Sequence, residues 1–146
     1  MAITQAMCSS FKKELLEGQH DFRSAGHTFK IALYSAAATL SAGTTNFTTS
    51  GEVVGAGYTT GGVELTKVDP TNSGTVGITD FGTAVFTNVT VVARGALIYN
   101  TTADGSSGTT NAVAVLDFSA DKTAIAGNFS VSFPTADGTT AIIRTE

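Results

Sequence analysis

The stretch His27-Thr28-Phe29-Lys30-Ile31-Ala32-Leu33-Tyr34-Ser35 decides the fold. Phe29, Ile31 and Leu33 fall on one side of an extended chain. Thr28, Lys30, Ala32 and Tyr34 fall on the other. This period of two is that of a strand with one face turned to a core. Before Gly26 the period is different. Met7, Phe11 and Leu15 recur at i, i+4 and i+8, flanked by Cys8 and Leu16, with Lys12, Lys13, Glu14 and Glu17 mostly opposite. That spacing predicts one amphipathic helix over residues 4–17. Thr4 is its expected N-cap, and Gly18 is placed to end it in a left-handed conformation. Residues 1–22 thus read as an N-terminal helix and arm. The apolar stripe Met7, Phe11 and Leu15 is a candidate interface, laid on the chain's own strands or on a partner's.

After Ser35 the period of two returns repeatedly. Strands are expected at Val63–Val68, Thr75–Phe81, Ala84–Ala93, Ala96–Asn100, Asn111–Phe118, Phe129–Phe133 and Ala141–Arg144. Turn signals separate them at Asp69-Pro70, Asn72-Ser73-Gly74, Asp104-Gly105, Asp121-Lys122, Gly127-Asn128 and Asp137-Gly138. Ser41–Ser50 is polar and Thr-rich and reads as a long loop. Asp104–Thr110 holds Gly, Ser and Thr with nothing to bury and reads as a mobile tip. Gly95 marks a bulge that bends one long strand from Phe86 to Tyr99. Many strands with no crossover helix between them predict an antiparallel β-sandwich or barrel.

Composition agrees. The chain has 146 residues, 25 of them Thr and 16 Gly, and only 14% are charged. Its length fits a single domain, 1–146. A net charge of −4 and the lack of a basic cluster beyond Lys12-Lys13 argue against nucleic acid as a partner. The start, MAITQAMCSS, lacks the pattern of a signal peptide, and no apolar run is long enough to span a membrane. A soluble protein made in a cytoplasm is expected. Cys8, the one cysteine, reads as a small buried apolar group. The N-x-S/T triplets at Asn46, Asn88, Asn100 and Asn128 follow from the abundance of Thr and Asn.

The run Gly55-Ala56-Gly57-Tyr58-Thr59-Thr60-Gly61-Gly62 has the wrong spacing for a phosphate loop and no helix behind it. It reads as turns leading into a strand. His20, His27 and Cys8 match no zinc spacing, and the histidines read as surface loop residues. No G-x-S-x-G elbow or calcium loop occurs. With no Trp and three scattered Tyr, an aromatic sugar-binding platform is weakly supported. Arg94 and Asp117 each sit in or at the end of an apolar strand and are expected to have partners, either each other across the sheet or in a solvent-exposed ion pair at a strand end. No catalytic residue, cofactor or metal is expected, and the protein does not read as an enzyme.

Several blocks together resemble a known family. They are Ile3–Lys12 with Glu14-Leu15-Leu16 and Gly18-x-His20-Asp21-Phe22, and then Thr28–Tyr34. Gly51–Tyr58 with Gly61-Gly62, Ala93–Asn100, Ala112–Phe118, Phe133-Pro134 and Ala141–Arg144 continue the likeness over almost the whole chain. These blocks resemble capsid cement, or decoration, proteins of short-tailed bacteriophages. The resemblance implies a jelly-roll-like β-sandwich that forms a homodimer. It also implies a place on the outer surface of the virion head, bridging subunits of an HK97-type major capsid protein. In Ser107–Asn111 the chain departs from that pattern, whose loop is shorter and more charged, so no contact is carried over there. The alternative is a phage tail or baseplate β-module that binds host glycans.

Overall fold

A computed structural model describes residues 2–102 and 110–145. The chain is mainly β, as the alternation predicts, with two antiparallel sheets and one short helix near the N-terminus. The elements are β1 (Ala6–Met7), α1 (Ser9–Leu16), β2 (Phe29–Tyr34), β3 (Val63–Glu64), β4 (Lys67–Ser73), β5 (Val76–Phe81), β6 (Ala84–Asn100), β7 (Asn111–Val131) and β8 (Ile143–Thr145). One sheet has the order β1-β7-β6-β2-β3 and the other β4-β5-β8. They share a core in which Phe29 of β2 meets Phe81 of β5 with ring centres 6.0 Å apart. Among the described residues, no helix is long and apolar enough to cross a membrane.

The central strands follow from their residues. In β2, Phe29, Ile31, Ala32, Leu33 and Tyr34 are all buried, so this strand has core on both faces rather than one. Tyr34 tolerates burial because its hydroxyl donates to the Thr48 carbonyl at 2.6 Å. Between β4 and β5 the loop is Gly74-Thr75, and Gly74 has φ +60°. A two-residue hairpin loop needs a positive φ, and Gly adopts it without steric cost.

Three expectations are corrected. The helix starts at Ser9, not near Thr4, because residues 3–7 are drawn into strand pairing. Ala6 pairs with Val115, Met7 with Ala114, and Ile3 bridges to Leu40. The Thr4 amide donates to the Leu40 carbonyl, and Cys8 occupies the N-cap with no side-chain bond. The helix end is as read: Gly18 has φ +75°, and the amides of Gly18 and Gln19 return to the Leu15 and Glu14 carbonyls.

Secondly, Asp121-Lys122 and Gly127-Asn128 are not turns between strands. They lie inside β7, which pairs with β6 over the length of both. Register shifts absorb the extra residues of β7, with Ser119 and Ala126 at positive φ. One shift falls at Ala93/Gly95, where Gly95 was read as a bulge. Thirdly, Asp69-Pro70 lies within β4 at a register shift, not at a turn. The tip read at Asp104–Thr110 lies outside the described residues for 104–109.

Candidate functional site

The chain buries polar groups where α1, the 19–28 loop and the last β6–β7 ladder pair, Asn100 with Asn111, meet. His20 is the centre. Its side chain is wholly buried, which corrects the surface placement expected from sequence. The ring lies among Phe11, Phe22 and Phe29, with centroids 4.8, 6.3 and 6.2 Å away. Its Nε2 faces Glu14 Oε1 at 3.2 Å, and its Nδ1 faces Asn100 Nδ2 at 3.1 Å. The same Asn100 Nδ2 reaches His27 Nδ1 at 2.9 Å, while Asn100 Oδ1 accepts from the Thr102 amide. Asn111 Nδ2 donates to Glu14 Oε2 at 2.6 Å.

An amide nitrogen can only donate, so both imidazoles accept at Nδ1 and carry their proton on Nε2. The arrangement is therefore a chain of donors and acceptors tying helix, loop and hairpin together. Cys8 lies near it, and burial, with Glu14 adding, pushes its thiol up to about 11. At neutral pH it is a thiol, not a nucleophilic thiolate. Among the described residues no group of three or more His, Cys, Asp or Glu is placed to hold a metal. Sequence reasoning missed this network because its members come from residues 14 to 111, and only the folded sheet brings them together.

The glycine-rich run is a backbone seam. A Cβ on Gly55 would lie 1.9 Å from the Thr90 carbonyl oxygen, one on Gly57 2.2 Å from that of Asn88, and one on Gly62 1.8 Å from that of Ile31. Side chains at these positions would hold the loop off β2 and β6. The loop is pinned by Glu52, whose Oε1 accepts from the Tyr58 hydroxyl at 2.8 Å and the Gly61 amide at 2.7 Å. The Tyr58 hydroxyl in turn accepts from the Leu33 amide. Burial raises the Tyr58 hydroxyl well above its ordinary value and pushes Tyr99 up to about 12. Both remain protonated donors.

The candidate interface residues are placed as follows. Phe11 is fully buried within its own chain, edge-on to Phe22. Met7 lies in β1 rather than in the helix, and it and Leu15 pack half-buried against the core. The stripe therefore closes its own subunit, and the helix turns Leu16 outward, 91% exposed. Arg94 pairs with Asp121, Nε to Oδ1 at 2.9 Å, and not with Asp117. Asp117 stands opposite Gly95 in the ladder, and its carboxylate accepts from the Ser119 amide at the bulge.

Besides Leu16 on the helix and Val68 on β4, three exposed apolar groups lie together on the flank of the β6–β7 ribbon. Val54 is 96% exposed and Ile125 77%, and Val92 is also exposed. All three border one shallow groove of about 610 Å³. Ile125 is held out by a register shift in which the Ala126 amide donates to Thr90 Oγ1. Glu52 also lines this groove, and an exposed apolar patch of this kind is suited to binding. No protein-family model, curated protein or solved structure matches this chain.

Proposed function

We propose that this protein works by binding rather than by chemistry. It is a capsid cement protein that sits, as a dimer, on the outside of a tailed-phage head and holds together subunits of an HK97-type shell. The observation that carries the reading is the exposed apolar patch of Val54, Val92 and Ile125, set beside a loop that Glu52 pins through Tyr58 and Gly61. The sequence resemblance supplies the partner. A protein that binds the assembled shell and not free subunits favours the shell by RT ln(1 + [L]/Kd) at each site. This is about 2.7 kcal/mol at one hundred times Kd. Summed over many copies, it opposes the pressure of packed DNA.

Heads depleted of the protein should release DNA at a lower temperature than complete heads, and adding the purified chain should restore the threshold. Equal heat stability with and without the protein would overturn the reading. Localisation to the tail would put the tail-module alternative in its place.

A further inference from the structure

Most sheet edges among the described residues are short, covered or blunted. β1 and β3 are two residues each, and β8 is three with Arg144 exposed at its centre. β4 carries Pro70 and a register shift, two devices that spoil an edge for pairing. The glycine-rich run seals β2 and β6, with the Val53 amide on the Leu33 carbonyl and the Thr90 amide on the Ala56 carbonyl. The N-terminal arm covers the first part of β7, with the Cys8 amide on the Val113 carbonyl and the Asp117 amide on Gln5 Oε1.

Among the described residues the far end of β7 carries no proline, no charge and no covering arm, and its one register shift, between Gly127 and Phe129, puts the extra residue on β6 rather than on the edge strand. From Gly127 to Val131 its ladder runs to β6 alone. Phe129, Ser130 and Val131 pair in unbroken register with Phe86, Val85 and Ala84, so the strand is regular there. Gly127-Asn128-Phe129-Ser130-Val131 holds no charge and no proline. On such a strand alternate residues turn both backbone groups outward, and only another extended backbone satisfies them in register. A groove of about 440 Å³ follows this edge, with Phe118 on its wall and exposed Lys122 at one end.

We infer that the edge of β7 from Gly127 to Val131 docks an extended segment of the shell protein. That segment is uncharged along the edge and acidic at the Lys122 end, and it adds a strand to the five-stranded sheet. The identity of the partner rests on the cementing reading; its extended form and charge rest on the edge and groove. A second copy is the poorer occupant. Two edges of five residues fall well short of the roughly 20–30 residues a side of a stable free interface. A shell that offers the site many times over can use so small a contact.

The test measures binding of the purified chain to depleted heads, alongside its melting midpoint. Ser130→Lys is expected to keep the midpoint and to weaken binding by on the order of tenfold, because a lysine on an edge opposes strand addition. Lys122→Glu should weaken binding in the same direction. Amides within 127–131 should exchange more slowly on the head than free. If Ser130→Lys fails to fold, Ser132→Lys, just past the last ladder pair, carries the same expectation. A folded lysine variant that binds like the wild type, with no new amide protection, overturns the docking edge and leaves the cementing reading standing. A variant that shifts only the monomer–dimer balance assigns the edge to a second copy and also overturns it. Failure of the wild type to bind heads removes the cementing reading, and this partner with it.

Discussion

Gly62 and Gly74 make the same conformational demand in different surroundings. Both have positive φ, +79° and +60°. A Cβ on Gly74 meets nothing within 4 Å, whereas one on Gly62 would press into the Ile31 carbonyl. Gly74→Ala should therefore cost only the left-handed penalty, about 1 kcal/mol. Gly62→Ala adds an overpacking cost against backbone that cannot step aside, for a total of about 3 kcal/mol or more. Urea unfolding of the two variants checks the difference. Asp80 supplies a second residue-scale expectation. It is buried in β5, its Oδ1 accepts from the Phe81 amide, and its Oδ2 makes no hydrogen bond of good geometry. Burial raises its pKa above the ordinary 3.8, against the pull of the Phe81 and Ile142 amides. A raised carboxyl binds its proton more tightly folded than unfolded. Its favourable share is complete below the unfolded value and is lost as pH rises through the folded one. The half-buried Asp137 works the other way. The Thr139 amide and hydroxyl and those of Thr140 lower it to about 2, and its share is lost as pH falls below the usual carboxylate range. Asp80→Asn should remove only the first dependence, so the stability gap between wild type and variant should change from about pH 4 upward. A gap that stays flat with pH would show that Asp80 keeps its ordinary titration.

Helix α1 owes its place to Phe11 and its length to the strand that precedes it. Phe11→Ala empties a fully enclosed site between His20 and Phe22 and should cost about 3–5 kcal/mol. Leu16→Ala, at a side chain 91% exposed, should stay within about 0.5 kcal/mol. Thermal melts of both variants, with sedimentation to follow association, separate loss of stability from loss of a partner. The elements also mark where sequence was readable. β2 was readable as a strand from its local pattern, though not that both its faces would be buried, and Gly18 because a left-handed helix end is a property of one residue. The first turn of the expected helix was not readable. Residues 3–7 carry apolar groups at helical spacing, but their amides and carbonyls are claimed by Leu40 and the edge of β7. The turns read inside β7 failed for a related reason. Asp121-Lys122 and Gly127-Asn128 have turn chemistry, yet β6 offers a continuous partner and the surplus residues are absorbed as bulges. Of the candidate interface stripe, Phe11 and Leu15 stand on the helix and Met7 in β1, and the helical spacing of the three could not say which core they would enter.

At the scale of the whole molecule, the arm and β7 are linked by pairing between residues more than a hundred positions apart, Ala6 with Val115 and Met7 with Ala114. The consequence is protection. The arm covers the first part of the longest strand in the sheet, while the far end stays open. Removing residues 1–7 would strip β1 from β7, release the Asp117 amide from Gln5, and free the Leu40 amide that bonds to the Ala2 carbonyl. The apolar stretch Ala112-Val113-Ala114-Val115-Leu116 would then be uncovered from Ala114 onward, while the Ala112 amide keeps the Thr45 carbonyl and the Val113 carbonyl keeps the Cys8 amide. It has the composition that recruits another strand: apolar, uncharged, free of proline and long enough to pair. The truncated chain should melt earlier than the full chain, and it should associate at concentrations where the full chain holds its own oligomeric state. Sedimentation velocity against concentration reads the second effect, and Ala114→Lys in the truncated chain should reverse it by placing a charge on the new edge. Truncation that lowers the melting midpoint without new association would mean the arm contributes packing alone. Truncation that changes neither would mean that β7 needs no cover at that end, and pairing of the arm would then be incidental to the fold.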